Sequence, residues 1–283
     1  MNRRNLLAAA GTVPPALLAG CLNRAPFMGV SHEDLPEWPD EPTESAATSY
    51  ATRYRAATAF NERLDERGED DFKALAYGCE GAFEAEVTTG FVVAISGSWA
   101  ETLDGGLFGS DLASEGSLPP KTLLVNEAEV IKAALDHDDF EQSWDPPFST
   151  RGITVVNFAP ESHQVDVTIQ NVDNSELDDA TLAETFALNA EQGETALEIL
   201  DDPGEYEVSV SVSNQPETIH NWNVSDEPRE PVTLASSASY DIALGIYVLP
   251  DGTVEIHEIP EDRITEEERV SQHTDSAVEY STM

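Results

Sequence analysis

Between Ile153 and Ile259 apolar residues gather in short runs separated by turn residues, in several of them at every second position, and this pattern admits few folds. Val165, Val167 and Ile169 share one side of a run, opposite Asp166, Thr168 and Gln170; Tyr206, Val208, Val210 and Val212 likewise oppose Glu207, Ser209 and Ser211. Such runs are half-buried strands. Strands are expected over Ile153 to Phe158, His163 to Asn171, Glu184 to Leu188, Thr195 to Leu200, Glu205 to Val212, Thr218 to Val224, Tyr240 to Leu249 and Thr253 to Ile259. Pro250-Asp251-Gly252 turns between the last two. Strands with one apolar face each need a second sheet to cover it, so residues 152–260 are expected to form a β-sandwich.

Within it, Asp202-Pro203-Gly204-Glu205-Tyr206 resembles the Asp-x-Gly-x-Tyr corner of immunoglobulin-like domains. The resemblance implies that the Tyr206 hydroxyl bonds backbone at a sheet corner. Val208 stands where antibody domains carry a disulfide cysteine, so a domain of this kind here is disulfide-free. The expected strands outnumber the seven of the simplest members, which leaves the topology open.

The first half reads differently. Ala47, Tyr50, Ala51, Tyr54, Ala57, Phe60 and Leu64 recur at spacings of three and four, predicting a helix from Ala46 to Arg67 that Gly68 ends. Thr52, Arg55, Glu62 and Glu66 are expected on its outer face, and Asn61, inside the apolar arc, is expected to bond neighbouring backbone. Ala82 to Val87, Phe91 to Trp99 and Lys121 to Val125 are strand-like, with Thr88-Thr89-Gly90 as a hairpin connection and Asp104 to Pro120 as a loop rich in Gly, Ser and Asp. Asn126 with Glu129 offers a helix start, but residues 127–135 are read as strand, because one helix needs several strands beneath it. The fold class is therefore mainly β (α+β overall): an N-terminal helix packed on a small antiparallel sheet (46–136), a linker (137–151), then the immunoglobulin-like β-sandwich (152–260). Residues 261–283 read as an acidic frayed tail with a short helix near Thr265 to Val270.

Asp and Glu total 55 against 14 Lys and Arg, a formal charge of −41, and the only lysines are Lys73, Lys121 and Lys132. Such a chain repels nucleic acid and anionic lipid. Hydrophobic residues still make up 40 %, enough for a packed core, so the acidity belongs to the surface of a folded protein. At molar salt the Debye length shrinks to about 3 Å and most of the self-repulsion disappears. In acid excess and lysine scarcity the chain resembles a secreted protein of an extreme halophile.

Residues 1–21 read as a signal: a basic start with Arg3-Arg4, a weakly apolar stretch, and Leu18-Ala19-Gly20-Cys21. The last four residues resemble a bacterial and archaeal lipobox, which implies a lipid on Cys21; paired Arg3 and Arg4 before Leu6-Leu7 resemble a twin-arginine export signal. Removing Arg3 and Arg4 with the signal takes the formal charge from −41 to −43. Residues 22–45, with Pro26, Pro36, Pro39 and Pro42 among acids, read as a tether. Lipidation leaves Cys79 without an intramolecular partner, and with acids nearby and no adjacent base it is expected to be a packed, inert thiol.

Motifs of catalysis do not emerge. No Gly-x-Ser-x-Gly, His-Glu-x-x-His, phosphate loop or dinucleotide fingerprint occurs, and the six histidines lack ligand spacing. EF-hand registers fail: from Asp136, position six is Glu141 and position twelve Pro147; from Asp173, positions three and five are Ser175 and Leu177. Hence no cofactor, metal or catalytic residue is expected. His220-Asn221-Trp222-Asn223 is the most suggestive polar cluster, with Trp222 expected in the core, and Asn223-Val224-Ser225 is an N-glycosylation sequon. The expected protein is non-enzymatic: a lipoprotein held at the cell membrane through Cys21, facing outside, that binds an envelope protein. A solute-binding transporter component and an extracytoplasmic enzyme are the alternatives.

Overall fold

The computed structural model describes residues 30–105, 110–136, 151–172, 181–200, 202–213, 215–225, 242–260 and 263–273. The helix runs Glu44–Arg67 (α1). Thr43 caps it, its hydroxyl accepting from the Ala46 N–H at 3.2 Å, and Gly68, at φ 100°, donates its N–H to the Leu64 carbonyl at 2.7 Å. Ala47, Ala51, Ala57, Phe60 and Leu64 are buried as their spacing implies. Thr52 and Arg55, expected on the outer face, are buried as well. Close approach is the reason: a methyl group on Gly81 would run into the Thr52 hydroxyl, so glycine lets the helix sink until its flanks are covered too. The hydroxyls of Thr48 and Thr52 donate to the carbonyls of Glu44 and Thr48, both at 2.7 Å, which satisfies them inside the protein.

Thirteen strands occur among the described residues: β1 Phe72–Val87, β2 Gly90–Leu103, β3 Leu112–Val125, β4 Val130–Asp136, β5 Arg151–Asn157, β6 His163–Asn171, β7 Leu182–Leu188, β8 Gln192–Leu200, β9 Gly204–Val212, β10 Thr218–Val224, β11 Ile242–Val248, β12 Val254–Glu258 and β13 Thr265–His273. Nine form one sheet in the order β12-β11-β5-β8-β4-β3-β2-β1-β13, and four a second, β10-β9-β6-β7. The fold is mainly β with one N-terminal helix. The larger sheet runs without a break from the helix-bearing part into the sandwich, joined where Ala134–Asp136 of β4 lie parallel to Gln192–Glu194 of β8.

Four cores follow from this layering. The four-stranded sheet packs on β5, β8 and β11 through Val165, Val167, Val208, Val210, Trp222, Ile153 and Ile246. Here the Tyr206 hydroxyl donates to the Asp202 carbonyl at 2.9 Å, the corner bond implied by the motif. Tyr206→Phe keeps the buried ring but orphans that carbonyl, and should cost about 1 kcal/mol, seen as a lower denaturant midpoint with unchanged slope. Two clusters lie between α1 and strands β1, β2, β3 and β13. The fourth joins Ala85, Val92, Leu124, Val156 and Tyr247, from strands near opposite ends of the sheet order, so the large sheet must curl on itself. A polar link across the curl agrees: the Thr88 N–H and hydroxyl, at the turn after β1, both donate to Glu255 on β12.

Three further sequence expectations need correction. Residues 112–120, read as loop, belong to β3. Gly97 pairs Leu118 and Ile95 pairs Lys121, so Pro119 and Pro120 fall in the irregularity between, where a missing N–H is tolerated. Gly116 leaves room for the Trp99 ring, which a Cβ there would meet at 2.8 Å. The tether ends early: Val30 is buried with Phe60 and Leu64, and Asn61 exchanges two bonds with Glu33 backbone, at 2.8 and 2.9 Å. Trp38 packs edge-on to Tyr50 at 4.9 Å. Finally, residues 265–273 of the expected tail, with its short helix, form strand β13 along β1. Its half-buried positions Glu266, Glu268 and Gln272 meet Ser45, Arg53 and Ser31, so polar partners replaced the apolar alternation that would have revealed it. The expected linker falls almost wholly outside the described residues; Arg151 opens β5.

Candidate functional site

Of the site residues expected from the sequence, Asn223 alone lies among the described residues. Arg3, Arg4 and Cys21 lie outside the described residues. Asn223 is on β10, exposed, between buried Trp222 and Val224. The same pleat divides the suggestive cluster: His220 leans inward, Nε2 3.5 Å from Glu258 on β12, while Asn221 and Asn223 point to solvent. Cys79 is buried, and burial pushes its thiol up to about 11, so little thiolate exists at neutral pH. Among the described residues no group of three or more His, Cys, Asp and Glu is placed to hold a metal ion, and no helix is long and apolar enough to cross a membrane.

What the structure does bring together is charge that the sequence scatters. Glu101 on β2, its side chain 2 % exposed, receives Arg63 of α1 through two bonds, Nε to Oε2 at 2.8 Å and Nη2 to Oε1 at 2.9 Å, and the Ser114 hydroxyl at 3.0 Å. Burial opposes its ionisation, yet these bonds outweigh it and the carboxyl titrates below its ordinary range. Arg63 also lies over the Trp99 ring, 5.5 Å from its centre. On the curled face, Glu84 accepts from the Tyr247 hydroxyl at 3.2 Å and stands 4.0 Å from Arg263; burial drives its pKa up. Tyr247 folds back over Gly245, where a Cβ would strike its ring.

A third group lies at the flank of α1. Arg55 and Lys132 both face Glu62, at 3.8 and 3.5 Å, and Lys132 sits 5.8 Å above the Tyr54 ring. Lys121 on β3 joins them: Lys121 pairs Ala134 and Leu123 pairs Lys132, so both lysines share the sheet face that Leu123 buries beneath the helix. Sequence reasoning missed this group because its members are far apart in the chain and follow no local spacing.

Residues 161–263 match the family model of the halobacterial Ig-like domain, a span that takes in β6 to β12. No curated protein and no solved structure matches the chain.

Proposed function

We propose that this protein is an exported lipoprotein, anchored through a lipid on Cys21 and facing outside, that presents its Ig-like domain as a non-catalytic binding module of the cell envelope. The observation that carries the reading is Leu18-Ala19-Gly20-Cys21 behind Arg3-Arg4 at the head of a chain with a halobacterial Ig-like domain. Eight residues, 22–29, separate Cys21 from Val30, the first of the described residues, which packs on the fold. At about 3.3–3.6 Å per extended residue they reach about 30 Å at most, so the anchor holds the domain near the bilayer instead of on a long stalk. At molar salt the acidic body is screened from anionic headgroups and tolerates that distance. Asn223, exposed on β10, meets the accessibility that glycosylation requires.

Replacing Cys21 by Ser should move the protein from the membrane to the soluble extracellular fraction; continued membrane association would refute the anchor. Crosslinking in intact cells at native salt, read by mass spectrometry, should recover an envelope protein joined to the Ig-like domain. Recovery of the monomer alone would count against the binding role.

A further inference from the structure

Arg55 presents an unresolved charge. Its side chain is 5 % exposed, its Nη1 is shielded from solvent without a hydrogen-bond partner, and its ion-pair partner, Glu62, stands 3.8 Å away. A guanidinium carries five donors in a rigid fork, and burying it with so few contacts is costly unless something further accepts from it. Lys121 adds a half-buried ammonium with no ion pair within 4 Å among the described residues, and Lys132 adds another that shares Glu62. Two cations thus share one carboxylate and a third, Lys121, has only the longer-range fields of Glu62 and Glu191, in a chain with only 14 Lys and Arg, where acids are abundant and could have neutralised them.

We propose that Arg55, Lys121 and Lys132 form a binding site for a small anion at the flank of α1. The guanidinium fork suits a carboxylate or phosphate oxygen pair, and the two lysines supply the remaining charge. Size is set by the surroundings: the net charge of −41 repels polyanions, whereas a mono- or divalent ion crosses a screened surface freely. Burial, and then the neighbouring charges of Arg55 and Lys132, hold the Lys121 pKa below its ordinary value, and a bound anion would return it upward. An occupant there ties α1 to β3 and β4, at the end of the helix-bearing sheet nearest the sandwich.

The test uses the full exported chain with Cys21→Ser. Calorimetric titration with inorganic phosphate in molar sodium chloride reads an oxyanion; crystals exchanged into sodium bromide read a halide through an anomalous peak. Saturable phosphate heat, or a bromide peak between Arg55 and the lysines, supports the site and tells its occupant. Lys121→Gln, which removes a half-buried group without an ion pair and should fold normally, must weaken phosphate binding at least tenfold or abolish the peak. Lys73→Gln, whose lysine pairs Asp104 and Asp111 elsewhere, must change neither. Absence of both signals, or their persistence in Lys121→Gln, overturns the proposal.

Discussion

Ending the chain after Pro260 should destroy cooperative folding of the helix-bearing half. The cut removes β13, which leaves the β1 backbone from Ala74 to Ala82 without its outer partner and takes Val270 out of the core beneath α1. It also strips Gln272, which accepts from the Ser31 N–H at 2.7 Å and donates to Glu33 at 2.7 Å, so the segment that leads into α1 loses its clasp. Arg263 goes too, leaving Glu84 buried among apolar residues with only the Tyr247 hydroxyl. Loss of one partner of a buried pair alone costs about 3 kcal/mol, against a total stability of about 5–15 kcal/mol for a domain. At native salt the truncated chain should show a melting transition lowered by more than about 10 °C or none. A chain ended after His273 keeps β13 and should melt well above the chain cut after Pro260. Equal melting of both shortened chains would exclude a structural role for β13.

Glu101→Gln is the second large effect. It leaves Arg63 facing a neutral amide with one accepting oxygen in place of two, and should destabilise by about 3 kcal/mol at neutral pH. The sign with pH is fixed by the lowered pKa of Glu101. A carboxylate bound more weakly to protons in the folded state adds stability above its unfolded pKa, about 4.3, and loses it as pH falls through the lower folded value. The gap in melting temperature between wild type and Glu101→Gln should therefore be widest at neutral pH and close under acid. Comparing the two chains removes the general relief of acidic repulsion, which both share. A gap that stays constant to low pH would show that packing, and not the Arg63 pair, accounts for the loss.

How much of this was legible depended on where each signal resides. In the sandwich, Val165, Val167 and Ile169 pack against Val208, Val210 and Ile246, and each strand's apolar face is written in its own alternation. Tyr206 was equally legible, since its hydroxyl reaches back only four residues to Asp202. Asn126 misleads usefully: its side chain does accept from the N–H groups of Ala128 and Glu129, as a helix cap would, but it does so in the turn between β3 and β4. Local bonding was readable there, but it is shared by helix caps and turns and does not tell them apart. Residues 112–120 and 265–273 hid for a different reason, because residues distant in the chain supply what their own composition lacks: Trp99 across the sheet over Gly116, and Ser45 and Arg53 of α1 and Ser31 before it for Glu266, Glu268 and Gln272.

Residues close together in the chain were enough to specify the β-sandwich with its corner, the helix with its ends and the acidic surface, and the proposed export and lipidation at Arg3, Arg4 and Cys21 rest on a pattern local in the same way. Three features emerge only when the chain is folded: one curled sheet runs through both halves, Val30 and β13 close over α1, and Arg55, Lys121 and Lys132 meet. Periodicity reports which side of an element seeks burial but not which distant element covers it. Charge pairing across more than sixty residues leaves no spacing to read at all.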